Sequence, residues 1–215
     1  MKDRYALIGP LYDFVSTVYS GNCIHHCKVG HLDQLKPGDK VLFAGVGHGR
    51  DALYAAQRGA EVTVVDLSET MLARFSGVLE KDGVTYNVRK VHSDIMKFNE
   101  GEKYDMVVAN FFLNVFYPDT MESIFAHLIS QGKPGAKVVV GDFAFPKGNI
   151  FSRIFKTVYW YLAVAFFWLV AGNAVHNIYD YPALMKKLGL QVKEKKYFSL
   201  LGVDCYWSVL GNKTV

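Results

Sequence analysis

Three cysteines, six prolines and no long block of one charge are what this 215-residue sequence has least of. Cys23, Cys27 and Cys205 are too few, and odd in number, for a disulfide framework. The first ten residues carry Lys2, Asp3 and Arg4 and no long apolar run. No cleaved leader is expected there, and the chain reads as one of a reducing, cytoplasmic compartment. Lys186-Lys187 and Lys193 to Lys196 read as solvated surface. A net charge of +4 is far from a nucleic-acid footprint, which excludes that class of partner, but it suits contact with an anionic membrane surface. Charged residues at 20% and aromatics at 14% exclude a disordered chain. The most apolar stretch, Val158 to Ala171, reaches only about 21 Å as a helix, against roughly 30 Å of bilayer hydrocarbon. A buried or interfacial helix is expected there in preference to a span.

What the sequence does have is alternation. Strand patterns at Lys40–Ala44, Glu61–Val65, Val84–Val91, Tyr104–Ala109 and Lys137–Val140 alternate with helical patterns at Arg50–Arg58, Ser68–Leu79 and Thr120–Ile129. Ser68 is an expected N-cap, and Gly59 and Gly132-Lys-Pro-Gly135 are expected stops. The strands are near-continuous apolar runs, as in sheets covered on both faces. After Tyr181–Leu188, a helix, come Gln191–Tyr197 and Cys205–Leu210, an expected antiparallel hairpin. The expected fold is α/β and doubly wound: a mostly parallel seven-stranded sheet with an antiparallel last strand and helices on both faces. One domain over 1–215 is expected, with 1–38 as a helical N-terminal lid and 146–178 as an apolar cap inserted after strand 5.

The chemistry concentrates in Gly45-Val-Gly47-His-Gly49-Arg50-Asp51, between a strand and a helix. Gly45 permits a tight turn, Gly47 a close backbone approach to a ligand, and Gly49 close packing of helix on strand. Asp66 closes the second strand, where a carboxylate accepts hydrogen bonds from a ribose diol. A dinucleotide site requires glycine or alanine at the sixth position of the loop, and Arg50 stands there. A glycine loop alone is weak information.

The downstream residues add to it. Asp66-Leu-Ser-Glu-Thr-Met71-Leu72, His92-Ser93-Asp94-Ile95, Tyr104-Asp-Met-Val-Val-Ala-Asn110-Phe-Phe-Leu-Asn114 and Gly132-Lys-Pro-Gly135 follow in order. In these motifs the chain resembles class I, Rossmann-like methyltransferases, well over 36–145 and in outline over 178–212. The resemblance implies S-adenosyl-L-methionine as cofactor. Gly45, Gly47 and Gly49 would pack on its methionine part and ribose, and Asp66 would bind the ribose hydroxyls. Leu67 and Met71 would flank the adenine. Asp94 would bond its amino group, supported by Ser93 and Ile95. Asn110, beside Phe111, would hold the cofactor's amino group through its carbonyl. One position departs from the family pattern: Phe43 stands where many members have an acid. Asp51 is the candidate replacement, with a surface helix acid as the plainer reading. Some thiol and halide methyltransferases look similar at this loop.

A sulfonium already activates its methyl group, so alignment of the nucleophile supplies much of the rate, and a base is needed only for a protonated acceptor. Candidate catalytic groups are Asp142, His176, Tyr19 and His25. The segment Tyr12-Asp13 to Tyr19 resembles the closing helix of quinone-ring methyltransferases, and the apolar cap is similar in position to that of quinone and phospholipid methyltransferases. A lipophilic acceptor is expected: a quinone, phenol or lipid amine. Residues 154–171, with Arg153, Lys156, Tyr159, Trp160 and Trp168, suit contact with a membrane surface or self-association. A small thiol, halide or amine acceptor, a non-methylating quinone modification, and a non-catalytic binding module are the alternatives. Cys23, Cys27 and His31 would share a helical face, but the spacing matches no standard zinc module and no metal is expected.

Overall fold

The structure, a computed structural model, describes residues 22–172 and 174–214. Tyr12, Asp13 and Tyr19 lie outside the described residues. The elements run α1 (Cys23–Val29), β1 (Lys40–Ala44), α2 (Arg50–Gln57), β2 (Glu61–Asp66), α3 (Glu69–Asp82), β3 (Val88–His92) and β4 (Tyr104–Asn110). They continue α4 (Pro118–Ser130), β5 (Gly132–Phe143), α5 (Ile150–Ala171), α6 (Tyr181–Lys187), β6 (Leu190–Leu200) and β7 (Val203–Lys213). The strands form one seven-stranded sheet of order β3-β2-β1-β4-β5-β7-β6. The β1–β5 pairs are parallel, and β7 is antiparallel to both β5 and β6. This is the expected α/β arrangement with its antiparallel last strand.

Alternate strand residues point to opposite faces, so each strand feeds two cores. On one face Leu42, Val107, Val138 and Val209 pack against Phe125 and Leu128 of α4 and Met185 of α6. On the other, Phe43, Val64, Val108 and Val139 pack against Ala52 and Ala55 of α2 and Phe75 of α3. Ser68 caps α3 by accepting the Met71 N–H at 3.2 Å. A third cluster lies beneath α5, where Tyr159, Trp160, Ala163 and Val164 meet Phe143, Cys205 and Tyr206.

β3 starts at Val88, four residues later than the sequence pattern, and two further elements differ from it more substantially. β5 begins at Gly132 and runs through Pro134 and Gly135, because Gly132 pairs with Tyr104 ahead of a register shift between Tyr104 and Met106. α5 begins at Ile150, well before the uncharged run, since Arg153 and Lys156 are helix-compatible and Asn149 Oδ1 accepts the Ser152 N–H at 2.8 Å at its start. Tyr159 and Trp160 face the protein interior, not the outside: the Tyr159 hydroxyl meets that of Tyr206 at 2.6 Å, and Trp160 Nε1 donates to the His176 carbonyl at 2.9 Å. Among the described residues no helix is long and apolar enough to cross a membrane.

Candidate active site

The parallel register brings the carboxyl ends of β1, β2, β4 and β5 to one edge, since Ala44 pairs with Val65, Asp66 with His92 and Asn110 with Gly141. In doubly wound sheets this edge is where ligands bind. The glycine loop leaves β1 there. Gly45, Gly47 and Gly49 all have positive φ, which side chains disfavour. A Cβ on Gly49 would overlap the Phe75 ring, so this glycine serves the packing of α2 on α3. A Cβ on Gly47 would meet only the Lys28 ammonium, at 3.4 Å. The backbone at Gly47 therefore has room for a ligand to approach it.

The Asp66 carboxylate ties the loop to β2. One oxygen accepts the Val46 N–H at 2.8 Å and the other the Ser68 N–H at 2.8 Å. Leu67 beside it is exposed, and its carbonyl lies 3.0 Å from His92 Nε2. Met71 is half-buried on α3. After β3, Ser93 donates its N–H to the Asp66 carbonyl at 3.0 Å, Asp94 accepts the Met96 N–H at 2.9 Å, and Ile95 is buried in the core. Leu67 and Asp94 thus follow β2 and β3 at this edge, while Met71 packs against the core between α2 and α3.

On the β4 side Asn110 is a hub. Its Nδ2 donates to Asp51 Oδ2 at 2.9 Å and to the Lys28 carbonyl at 3.0 Å, and its Oδ1 accepts the Gly141 N–H at 3.1 Å. Asp51, only 5% exposed, is no surface helix acid. Phe43, at the position where the family pattern has an acid, is buried in the α2–α3 core. Phe111 takes a positive φ of 51°, a strained region for an aromatic residue, and sets its ring edge-on to Phe143 and Tyr206. Lys28 Nζ lies 5.9 Å from the centre of the Phe111 ring. Lys28 is the residue that sequence reasoning missed. A lysine on a seven-residue helix carries no signal that distinguishes it from solvated surface.

The four candidate catalytic residues divide. Asp142 is 2% exposed; its Oδ1 accepts from Asn114 Nδ2 and the Phe143 N–H, both at 2.7 Å, and its Oδ2 from the Tyr181 hydroxyl at 2.6 Å. Burial pushes its pKa up to about 7 against the pull of those three donors. His176 is buried, with Nε2 2.9 Å from the Asn114 carbonyl and Nδ1 2.7 Å from the Asn177 carbonyl, and is stacked on Tyr179. His25, half-buried on α1, has its pKa lowered by burial and by His26, with Asp51 opposing. Its ring centre lies 5.9 Å from that of His26. Tyr19 is outside the described residues. Cys27 and His31 bond the Trp207 and Ser208 carbonyls of β7, at 3.0 and 3.1 Å, and so hold α1 onto the sheet.

Residues 41–135 match the model of a methyltransferase domain. A Haemophilus influenzae protein described as a probable S-adenosyl-L-methionine-dependent methyltransferase, TehB, is 33% identical over 97 residues, covering 45% of this chain and 33% of that protein. The chain thus covers about a third of the length of that relative. The demethylmenaquinone methyltransferase of Corynebacterium glutamicum is 26% identical over 152 residues, 69% of this chain and 62% of that one. Among solved structures, the Burkholderia thailandensis 1,6-didemethyltoxoflavin-N1-methyltransferase, with 1,6-didemethyltoxoflavin and S-adenosylhomocysteine bound, superposes with a TM-score of 0.67 at 19% identity, over 94% of this chain and 86% of that one. The magnesium protoporphyrin IX methyltransferase of Synechocystis, with S-adenosylhomocysteine bound, gives 0.63 at 21% identity over 86% and 76%. Over residues 41–135 the chain thus matches a methyltransferase domain, and its α/β fold is the one these solved methyltransferases share.

Proposed function

We propose that this protein transfers the methyl group of S-adenosylmethionine to a lipophilic small-molecule acceptor. The observation that carries the reading is the convergence of Asp66, the open Gly47 backbone, Asp51 and Lys28 on one sheet edge, with aromatic rings beside them. These residues fit the cofactor. Asp66 stands at the end of β2, where a carboxylate meets ribose hydroxyls, Asp51 offers a carboxylate to the ammonium in place of the acid absent at Phe43, and Lys28 offers a cation to the carboxylate. Bound there, the cofactor supplies an electrophilic methyl group on a sulfonium.

The chain's own residues then have three tasks. Phe111, half-buried and backed by the buried rings of Phe143, Tyr159 and Tyr206, offers an aromatic surface at this edge, which favours a flat, apolar acceptor. His25, held below the usual imidazole range by burial, is neutral near pH 7 and is suited to receive a proton from a phenol or quinol. Asp142, enclosed by its donors, acts as a positioning residue: it holds Asn114, which holds His176 through its carbonyl, so the turn after β4 keeps one shape. The similarity to a demethylmenaquinone methyltransferase agrees with a quinone-like acceptor.

The test is calorimetric titration with S-adenosylhomocysteine, followed by a screen of quinones, phenols and lipid amines. Micromolar binding that is lost in Asp66→Ala supports the cofactor assignment. No binding by a folded, monodisperse sample removes it. Methylation of small thiols in preference to all ring acceptors removes the lipophilic part alone.

A further inference from the structure

The outward side of α5 carries a row of apolar side chains, with Arg153 and Thr157 also exposed. Phe151, Ile154, Val158, Leu162 and Leu169 recur at helical spacing, and Phe151 and Leu169 are 80% and 78% exposed. Trp168 adds an amphipathic ring. Beyond the start of the helix, Leu201 stands at the tip of the β6–β7 turn, 85% exposed and at positive φ. A groove joins the two elements, lined by Phe151, Ile154, Phe155 and Val158 from α5 and by Gly202 and Val203 from the turn.

Lys156 lines the same groove. It is only 6% exposed and makes no hydrogen bond or ion pair among the described residues. Its stem is buried while its ammonium opens on the groove with no carboxylate bonded to it, so the groove can take an anion there. Lys147 at the rim is paired to Asp180 at 2.8 Å. Asp204, a carboxylate of the lining, has one oxygen engaged by the Ser199 hydroxyl at 2.5 Å. The helix itself contains Arg153 and Lys156 and no acidic residue.

We propose that α5 and the β6–β7 turn dock on an anionic phospholipid bilayer, with the outward apolar side chains entering the interface and Lys156 taking a lipid phosphate in the groove. The helix lies along the surface and does not cross it, because its other side is committed to Phe143 and Tyr206. Charge decides between a bilayer and a second copy of the chain. A face with two cations and no acid on its helix is complementary to an anionic surface, whereas in a self-paired dimer each copy would offer the other the same sign. The inference does not depend on the methyltransferase reading and can fail without it.

The experiment is vesicle flotation of the whole chain on phosphatidylcholine alone and on phosphatidylcholine mixed with phosphatidylglycerol. Wild type partitions at least about tenfold better onto the mixed vesicles. Lys156→Gln loses most of that preference while keeping its weak partition onto phosphatidylcholine. The exposed pair Leu162→Ser/Leu169→Ser lowers partition on both, with an unchanged circular dichroism spectrum. The proposal is overturned by any of three results: no flotation of folded protein on either vesicle; anionic preference intact in Lys156→Gln; or displacement of bound protein by inorganic phosphate, which would assign the groove to free phosphate. Sedimentation showing a dimer that the Leu162→Ser/Leu169→Ser variant dissociates, with no vesicle binding, would give the face to a second copy instead.

Discussion

Asn110 Nδ2 donates to Asp51 Oδ2 at 2.9 Å, joining the end of β4 to the first turn of α2 across 59 residues of sequence. The pair gives a carboxylate a fixed orientation at the amino-acid end of the proposed cofactor site, on the β4 side of the loop and not at the end of β1, where Phe43 fills the core. Asp51→Ala is expected to weaken S-adenosylhomocysteine binding about tenfold or more, a change of about 1.4 kcal/mol. Asp51→Asn, which keeps the shape and loses the charge, should weaken it nearly as much. Isothermal titration measures both, and an unchanged affinity would return Asp51 to a purely structural role.

Gly141 is closed to any larger residue. A Cβ there would lie 2.5 Å from Asn110 Oδ1 and 3.3 Å from Cys27 Sγ. Gly141→Ala therefore pushes Asn110 off its bonds to Asp51 and to the Lys28 carbonyl, and the overpacking costs about 1–3 kcal/mol. A lower melting temperature together with weaker cofactor binding is expected. Loss of stability alone would mean that Asn110 keeps its place.

Asp142 has an ordinary value of 3.8 and sits at about 7 through burial. A carboxyl raised in this way favours folding while protonated, so its contribution is full below about pH 4 and falls as pH rises to about 7. The difference in unfolding free energy between wild type and Asp142→Asn should therefore change with pH between about 4 and 7, by at most about 1.4 kcal/mol per unit, and be flat above. Denaturant melts at a series of pH values test this. A difference that grows in the opposite direction would show Asp142 ionised in the folded state.

His25 is held below 6.5, first by burial. With a phenolic or quinol acceptor, kcat/KM should fall as pH drops below the His25 pKa, because the base becomes protonated. His25→Gln should remove that acid limb and slow the reaction about 10²-fold or more. An acid limb that persists in the variant would point to another base.

Much of the sheet was legible in the sequence, because its strands are local apolar runs separated by glycine turns. Lys40–Ala44 is β1 as the sequence marks it, and Asp66 closes β2. The glycine loop and the Ser68 cap were equally local signals. What the sequence did not disclose depends on tertiary pairing. Asn110, Asp51 and Lys28 meet only because parallel register brings β4, the loop and α1 to one edge. Lys156 reads as a surface cation beside Arg153, yet helical phase turns it inward while Arg153 stays out. Gly132 to Gly135 reads as a turn, and only its pairing with β4 makes it strand.

β7 lies between β5 and β6, yet every other strand described is synthesised before it. Until Val203–Lys213 emerges, β6 has no neighbour in the sheet, β5 keeps an open edge, and α1 lacks the Trp207 and Ser208 carbonyls that fasten it. Assembly on the ribosome thus has a built-in order. The parallel half with its glycine loop can form early, but Lys28 reaches its position only after translation has delivered the final hairpin. A nascent chain stalled before that point would present a bare strand edge, the kind of surface that chaperones engage and that aggregates nucleate on.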